Sequence, residues 1–120
     1  MSKILIADDE KDMVSVLRER LEAEGFETLV AYEGVRAIEM AHKKSPDLIL
    51  LDLKMPAGRG QSVLEALRSR SDTEKIPVII LTALVEAGLR EQLLAKGAQD
   101  FLQKPCDVDQ LLDKIRSLLT

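Results

Sequence analysis

The chain has a single cysteine, Cys106, so no internal disulfide can form, and this usage suits a reducing compartment. No stretch approaches the roughly 18 consecutive apolar residues that a membrane helix needs. The N-terminus, MSKILIADDE, is too short in apolar residues to be a signal peptide. These absences lead to the expectation of a cytoplasmic protein with no membrane insertion. There is no basic stripe, and a net charge of −4 with a pI near 5.1 lacks the cation clustering that holds phosphate backbones, so direct nucleic-acid binding by this chain is not expected. Linkers rich in Pro, Gly or Ser, internal repeats and low-complexity blocks are also missing. At 120 residues the chain is the size of one domain, expected to span 1–120, with one core and one site.

Against these absences stand several short aliphatic runs. In DLILLDLKMP, Leu48 to Leu51 cannot alternate between a wet and a dry face, so they read as a strand covered on both sides, as in a parallel sheet. Runs of this kind recur at Lys3 to Ala7, about Glu27 to Tyr32, Val78 to Leu81 and about Asp100 to Gln103, the last as an edge strand. Helical patterns separate them. Met13, Leu17 and Leu21 recur at helical spacing before Gly25, and Val108, Leu111, Leu112, Ile115, Leu118 and Leu119 form one apolar stripe. Ser62 and Glu65 fit a capping box at the start of the third helix. A fourth helix, around Glu86 to Ala95, contains Gly88, which costs about 1 kcal/mol inside a helix and predicts a pliable segment.

Strands alternating with helices give an α/β fold, a doubly wound five-stranded parallel sheet with five helices and the common order 2-1-3-4-5. Such sheets bind ligands at the carboxyl ends of the strands beside the reversal of order. Those ends carry Asp8 and Asp9 on strand 1 and Asp52 on strand 3. Two carboxylates about 4 Å apart repel by roughly 4 kcal/mol at an effective dielectric near 20, so three gathered acids call for a cation. An all-oxygen set suits Mg²⁺ better than Zn²⁺, and Mn²⁺ could substitute. The same acids could instead cap the first helix. Thr82 ends strand 4, one spacing of ~4.8 Å from Asp52, and Lys104 ends strand 5, about 10 Å away and within reach of a lysine stem. Metal, hydroxyl and ammonium are what a phosphoryl group needs in transfer, and Asp can be the covalent nucleophile.

The motifs ADDE, LLDLKMP, LTA and QKP, at these spacings over essentially all of Met1 to Thr120, resemble the receiver domains of two-component response regulators. The resemblance implies a flavodoxin-like fold, with Asp52 as phosphoacceptor and Asp8, Asp9 and the backbone carbonyl of Lys54 as metal ligands. It further implies that Thr82 and Lys104 contact the phosphoryl group and that the Lys104-Pro105 peptide is cis. The phosphoryl group would come from a histidine kinase or histidine phosphotransfer protein. A switch of Thr82 and Phe101, one of three aromatic residues, would then remodel helix 4, strand 5 and helix 5 toward a downstream protein or an output domain not visible in this chain.

Arg59, in the loop MPAGRG, departs from the acidic or small residue that many relatives carry. Lys54 and Leu84 occupy positions that in this family influence loss of the phosphoryl group, and neither orients an attacking water as a base would. His42 reads as a solvated helix end and Cys106 as a packing residue. Two other functions remain open. One is a receiver-like interaction module that is never phosphorylated. The other is a Mg²⁺-dependent phosphohydrolase, for which Lys54 is a poor acid/base.

Overall fold

The structure is a computed structural model that describes residues 1–56 and 58–120, so Ala57 of the MPAGRG loop lies outside the described residues. Five parallel strands, β1 (Lys3–Ala7), β2 (Glu27–Ala31), β3 (Leu48–Leu51), β4 (Val78–Thr82) and β5 (Asp100–Gln103), form one sheet in the order β2-β1-β3-β4-β5. Between and after them run α1 (Lys11–Ala23), α2 (Gly34–Lys44), α3 (Gly60–Arg68), α4 (Leu89–Ala95) and α5 (Val108–Leu119). This is the flavodoxin-like arrangement, with helices on both faces.

The aliphatic runs are buried on both sides because successive residues face opposite helical layers. Leu5, Ile49, Leu51 and Ile80 pack toward α2, α3 and α4, while Ile4, Ile6, Leu48, Leu50 and Ile79 pack toward α1 and α5. Burying each such side chain contributes about 1.5–3 kcal/mol relative to leaving it in water. In register, Ala7 of β1 lies beside Leu51 of β3, so the residues that follow them, Asp8 and Asp52, leave the sheet side by side.

Four boundaries differ from the sequence reading. Strand β2 ends at Ala31, opposite the last residue of β1, and Tyr32 beyond it is exposed. Strand β4 continues to Thr82, which pairs with Gln103. The Ser62–Glu65 capping box does not form, since α3 begins earlier, at Gly60, with Arg59 at its cap and no side-chain cap hydrogen bond. Ser62 then lies inside the helix, and Glu65 accepts from Lys96 Nζ at 2.9 Å. Gly88 is not inside α4 but caps it at φ 79°, a left-handed conformation that glycine adopts without penalty. What remains weak about α4 is its seven-residue length and its anchorage by only Leu89 and Leu93 as buried residues.

The early start of α3 depends on a close approach. A Cβ at Gly60 would lie 2.6 Å from Leu53 Cα and 2.7 Å from the Asp52 carbonyl oxygen, and the Gly60 amide donates to the Leu53 carbonyl at 3.2 Å. Gly60→Ala must therefore displace the backbone that carries Asp52. It is expected to cost about 1–3 kcal/mol and lower the melting temperature by at least ~4 °C. Ser62→Ala, with no cap to lose, should change stability by less than ~0.5 kcal/mol in the same thermal melts.

Candidate functional site

The parallel ladder continues one residue past three strand ends and fixes where the polar side chains emerge. The Asp8 amide donates to the Ala31 carbonyl at 3.0 Å, the Asp52 amide to Ala7 at 2.9 Å and the Lys104 amide to Thr82 at 2.8 Å. Aliphatic runs bring the chain to this edge, and the next residue on each is the polar one. Asp8, Asp52 and Thr82 are 2%, 4% and 0% exposed, which for carboxylates is costly unless a counter-charge is near.

That counter-charge is Lys104. Its Nζ donates to Asp8 Oδ2 at 2.6 Å and to Glu10 Oε1 at 2.8 Å, and lies 3.6 Å from Asp52 Oδ2. The lysine stem closes the two-strand gap. Asp52 Oδ1 accepts from the Leu53 amide at 2.8 Å, and Asp8 Oδ1 from the Glu10 amide at 3.0 Å, so each carboxylate is held by backbone on one side. Asp8 does not cap α1, whose cap position is Glu10 without a side-chain cap bond. Thr82 Oγ1 accepts from the Leu84 amide at 3.3 Å. The Lys104-Pro105 peptide is cis.

Among the described residues, the acids with oxygens mutually within 4.8 Å are Asp8, Glu10 and Asp52. Asp9 lies outside that group: it is exposed and, with Lys54, Arg59, Leu84 and Glu86, lines an open cavity of about 440 Å³ alongside. The chain bends at Asp9 as it leaves β1, with the Glu10 amide folded back onto Asp8 Oδ1, and this brings the Glu10 side chain to the Asp8 cluster. Sequence reasoning missed Glu10, whose nearness to Asp8 in ADDE was the available signal.

Phe101 does not adjoin Thr82 directly. It pairs with Ile80 one strand over, while Thr82 pairs with Gln103, and the alternation of β4 puts Ile80 and Thr82 on one face of the sheet. Phe101 is half-buried beside a cavity of about 300 Å³ that Leu84, Val85, Leu89 and Arg90 also line. His42, at the end of α2, is exposed, with its Nδ1 hydrogen-bonded to Asp72. Cys106 is half-buried, and burial pushes its thiol pKa up, as suits a packing residue.

The electrostatics have one theme, since three acids around one ammonium leave a formal charge of −2. Burial, the largest influence, holds the Asp8 pKa above its ordinary 3.8, and the Asp52 charge adds to this. Hydrogen bonds from Lys104 and the Glu10 amide oppose without cancelling it. Burial also disfavours the Lys104 ammonium, but the hydrogen bonds to Asp8 and Glu10 outweigh it and hold its pKa above 10.5. Both groups keep protons more tightly, Asp8 chiefly because it is buried and Lys104 because acidic partners surround it. A raised carboxyl pKa means that the folded state binds the proton better than the unfolded chain, so the Asp8 contribution to stability is lost as pH rises above 3.8. Asp8→Asn should flatten that dependence and raise the melting temperature of the metal-free protein by roughly 2–5 °C at neutral pH, read by thermal melts across pH.

Comparison with known proteins agrees with this arrangement. Residues 4–116 match the family model of the response regulator receiver domain. The chain is 42% identical over 117 residues to the response regulator PleD of Caulobacter vibrioides, covering 98% of this chain and 26% of PleD. It is 42% identical over 119 residues to the transcriptional regulatory protein CpxR of Escherichia coli K12, covering 99% of this chain and 50% of CpxR. The chain thus spans half or less of these relatives. The receiver domain of the Francisella response regulator 1452 superimposes with a TM-score of 0.92 at 33% identity, over 99% of this chain and 97% of that one. The receiver domain of sensor histidine kinase PA1611 from Pseudomonas aeruginosa PAO1, crystallised with a magnesium ion coordinated in its active site cleft, gives 0.89 at 27% identity over 98% and 97%. With the sheet order, the buried acids and Lys104 in agreement, this chain belongs to the response regulator receiver domain family of two-component signalling.

Proposed function

We propose that this chain accepts a phosphoryl group on Asp52 from a histidine kinase or histidine phosphotransfer protein in a Mg²⁺-dependent reaction. The phosphorylated form would change the face of α4, β5 and α5 and so control a partner or output domain, in the cytoplasm. The observation that carries this reading is a buried Asp52 carboxylate, backed by Asp8 and Glu10, with one lysine ammonium 3.6 Å away.

The donor set fits a hard divalent cation. Its oxygens are carboxylates with a formal excess of −2, and no thiol competes, since the one cysteine is in a reducing-type composition and half-buried elsewhere. Asp8 and Asp52 of that cluster, with Asp9 and the Lys54 carbonyl from the adjoining cavity, would hold the ion, and when bound it would supply neutralisation of the charge on the phosphoryl oxygens. The protein's own residues do the rest. The Leu53 amide fixes the Asp52 side chain, so an unbonded lone pair attacks phosphorus. The new bond is Asp52 oxygen to phosphorus, and the bond that breaks joins phosphorus to the donor's imidazole nitrogen, which leaves with its electron pair and takes a proton. Lys104 donates to a phosphoryl oxygen as charge builds there, and the Thr82 hydroxyl donates to another by turning from the Leu84 amide.

That turn of Thr82 is the proposed origin of the switch. It empties space on the face of β4 that Phe101 shares, next to the cavity under Leu84 and Leu89. The short α4 above is the element with least holding it. Switching shifts a balance between two packings, bounded by how differently each holds the phosphoryl group.

Mass spectrometry after exposure to acetyl phosphate and Mg²⁺ is expected to show the gain of one phosphate, absent in Asp52→Asn and absent when a chelator removes the metal. An unmodified wild-type mass, or a gain that survives Asp52→Asn, would overturn the assignment. Lys54 and Leu84 line the cavity beside Asp52 and offer no base to a water there. The phosphoryl group is accordingly expected to persist after the donor is removed, and Lys54→Asn to shorten its half-life by roughly threefold or more, about 0.7 kcal/mol, in a timed decay assay.

A further inference from the structure

Glu10 takes no part in the reaction just described, yet it makes one of the two hydrogen bonds that hold Lys104. Its backbone is fixed at the cap position of α1: its amide donates to Asp8 Oδ1 and its carbonyl accepts from the Val14 amide at 2.9 Å. The side chain is thereby directed over the cluster. It is also the exposed member, at 56% against 3% for Asp8, 4% for Asp52 and 9% for Lys104, so it closes the group from the solvent side.

A lysine ammonium has three N–H donors. Here one serves Asp8 and one Glu10, and Asp52 stands at 3.6 Å, beyond hydrogen-bond length. A phosphoryl group on Asp52 adds negative charge and acceptor oxygens on that third side. The third donor is free to face them, but the ammonium comes closer than 3.6 Å to Asp52 only by loosening its contact with Glu10.

We infer that Glu10 is a positioning residue that retains the Lys104 ammonium at the mouth of the site and competes for it with phosphorylated Asp52, shortening the life of the phosphoryl group. The inference rests on the reading of Asp52 as phosphoacceptor. Because Glu10 is largely solvated, screening limits the competition to the range of an exposed ion pair, which corresponds to a change of about two- to fivefold. Glu10→Gln removes the charge that strengthens this contact and Glu10→Asp draws the carboxylate back from it, so both should act in the same direction.

The experiment measures phosphoryl half-life after acetyl phosphate labelling, at saturating Mg²⁺ so that altered metal affinity does not enter, in wild type, Glu10→Gln and Glu10→Asp. Alongside it, NMR of the lysine side chains in the unphosphorylated proteins reads the Lys104 contact directly. Both variants are expected to lengthen the half-life about two- to fivefold and to shift the Lys104 resonance. A half-life unchanged or shortened in Glu10→Gln overturns the inference, and so does a Glu10→Asp protein that decays like wild type, which would leave only a charge effect. A wild type that takes no phosphoryl group fails the phosphoacceptor reading instead, while the NMR still reports whether Glu10 holds Lys104.

Discussion

The contact between Lys104 and Asp8 joins residues 96 positions apart, and the site depends on it. Two nearly dry carboxylates, Asp8 and Asp52, stand side by side at adjacent strand ends, an arrangement that repulsion and desolvation both oppose. One ammonium from the far edge of the sheet offsets part of that cost and leaves an excess of negative charge. The excess is the useful part, since it keeps the cluster attractive to a divalent ion and makes any gain or loss of charge at Asp52 felt by every neighbour. Folding stability is given up locally to gather this charge.

The sheet makes this tolerable. Three strands, β1, β3 and β4, deliver their polar ends from runs of aliphatic residues buried on both faces, so the positions of Asp8, Asp52 and Thr82 are set by ladder hydrogen bonds and core packing. Gly60 contributes from outside the ladder by letting α3 begin against the backbone of Asp52 and Leu53, a distance that no side chain permits. The ladder and the core thus hold the cluster in place. The part beside Phe101, with a short α4 and neighbouring cavity space, carries less packing.

The relatives place this site in a wider setting. PleD and CpxR match this chain over a quarter and a half of their lengths, so the receiver forms one portion of those regulators. A phosphoryl group on a strand end is a local change of charge. In the proposed function it is read out near Thr82 and Phe101, and Val85 and Arg90 line the cavity beside Phe101.

The sequence by itself determined the alternation of strands and helices, the sheet order and the four strand-end residues Asp8, Asp52, Thr82 and Lys104. Uninterrupted aliphatic runs have one economical solution, a parallel sheet covered on both faces, and the residue after each run must emerge at its edge. Helix starts were not legible in the same way. Gly60 and Gly88 take their roles from a backbone approach and a left-handed cap, which local spacing does not encode. Nor was the membership of the acidic cluster. ADDE offers three acids in a row, and only the bend by which the chain leaves β1, together with the reach of a lysine from β5, groups Asp8 and Glu10 with Asp52. Contacts between residues distant in sequence depend on three-dimensional placement, and there the tertiary structure alone decided.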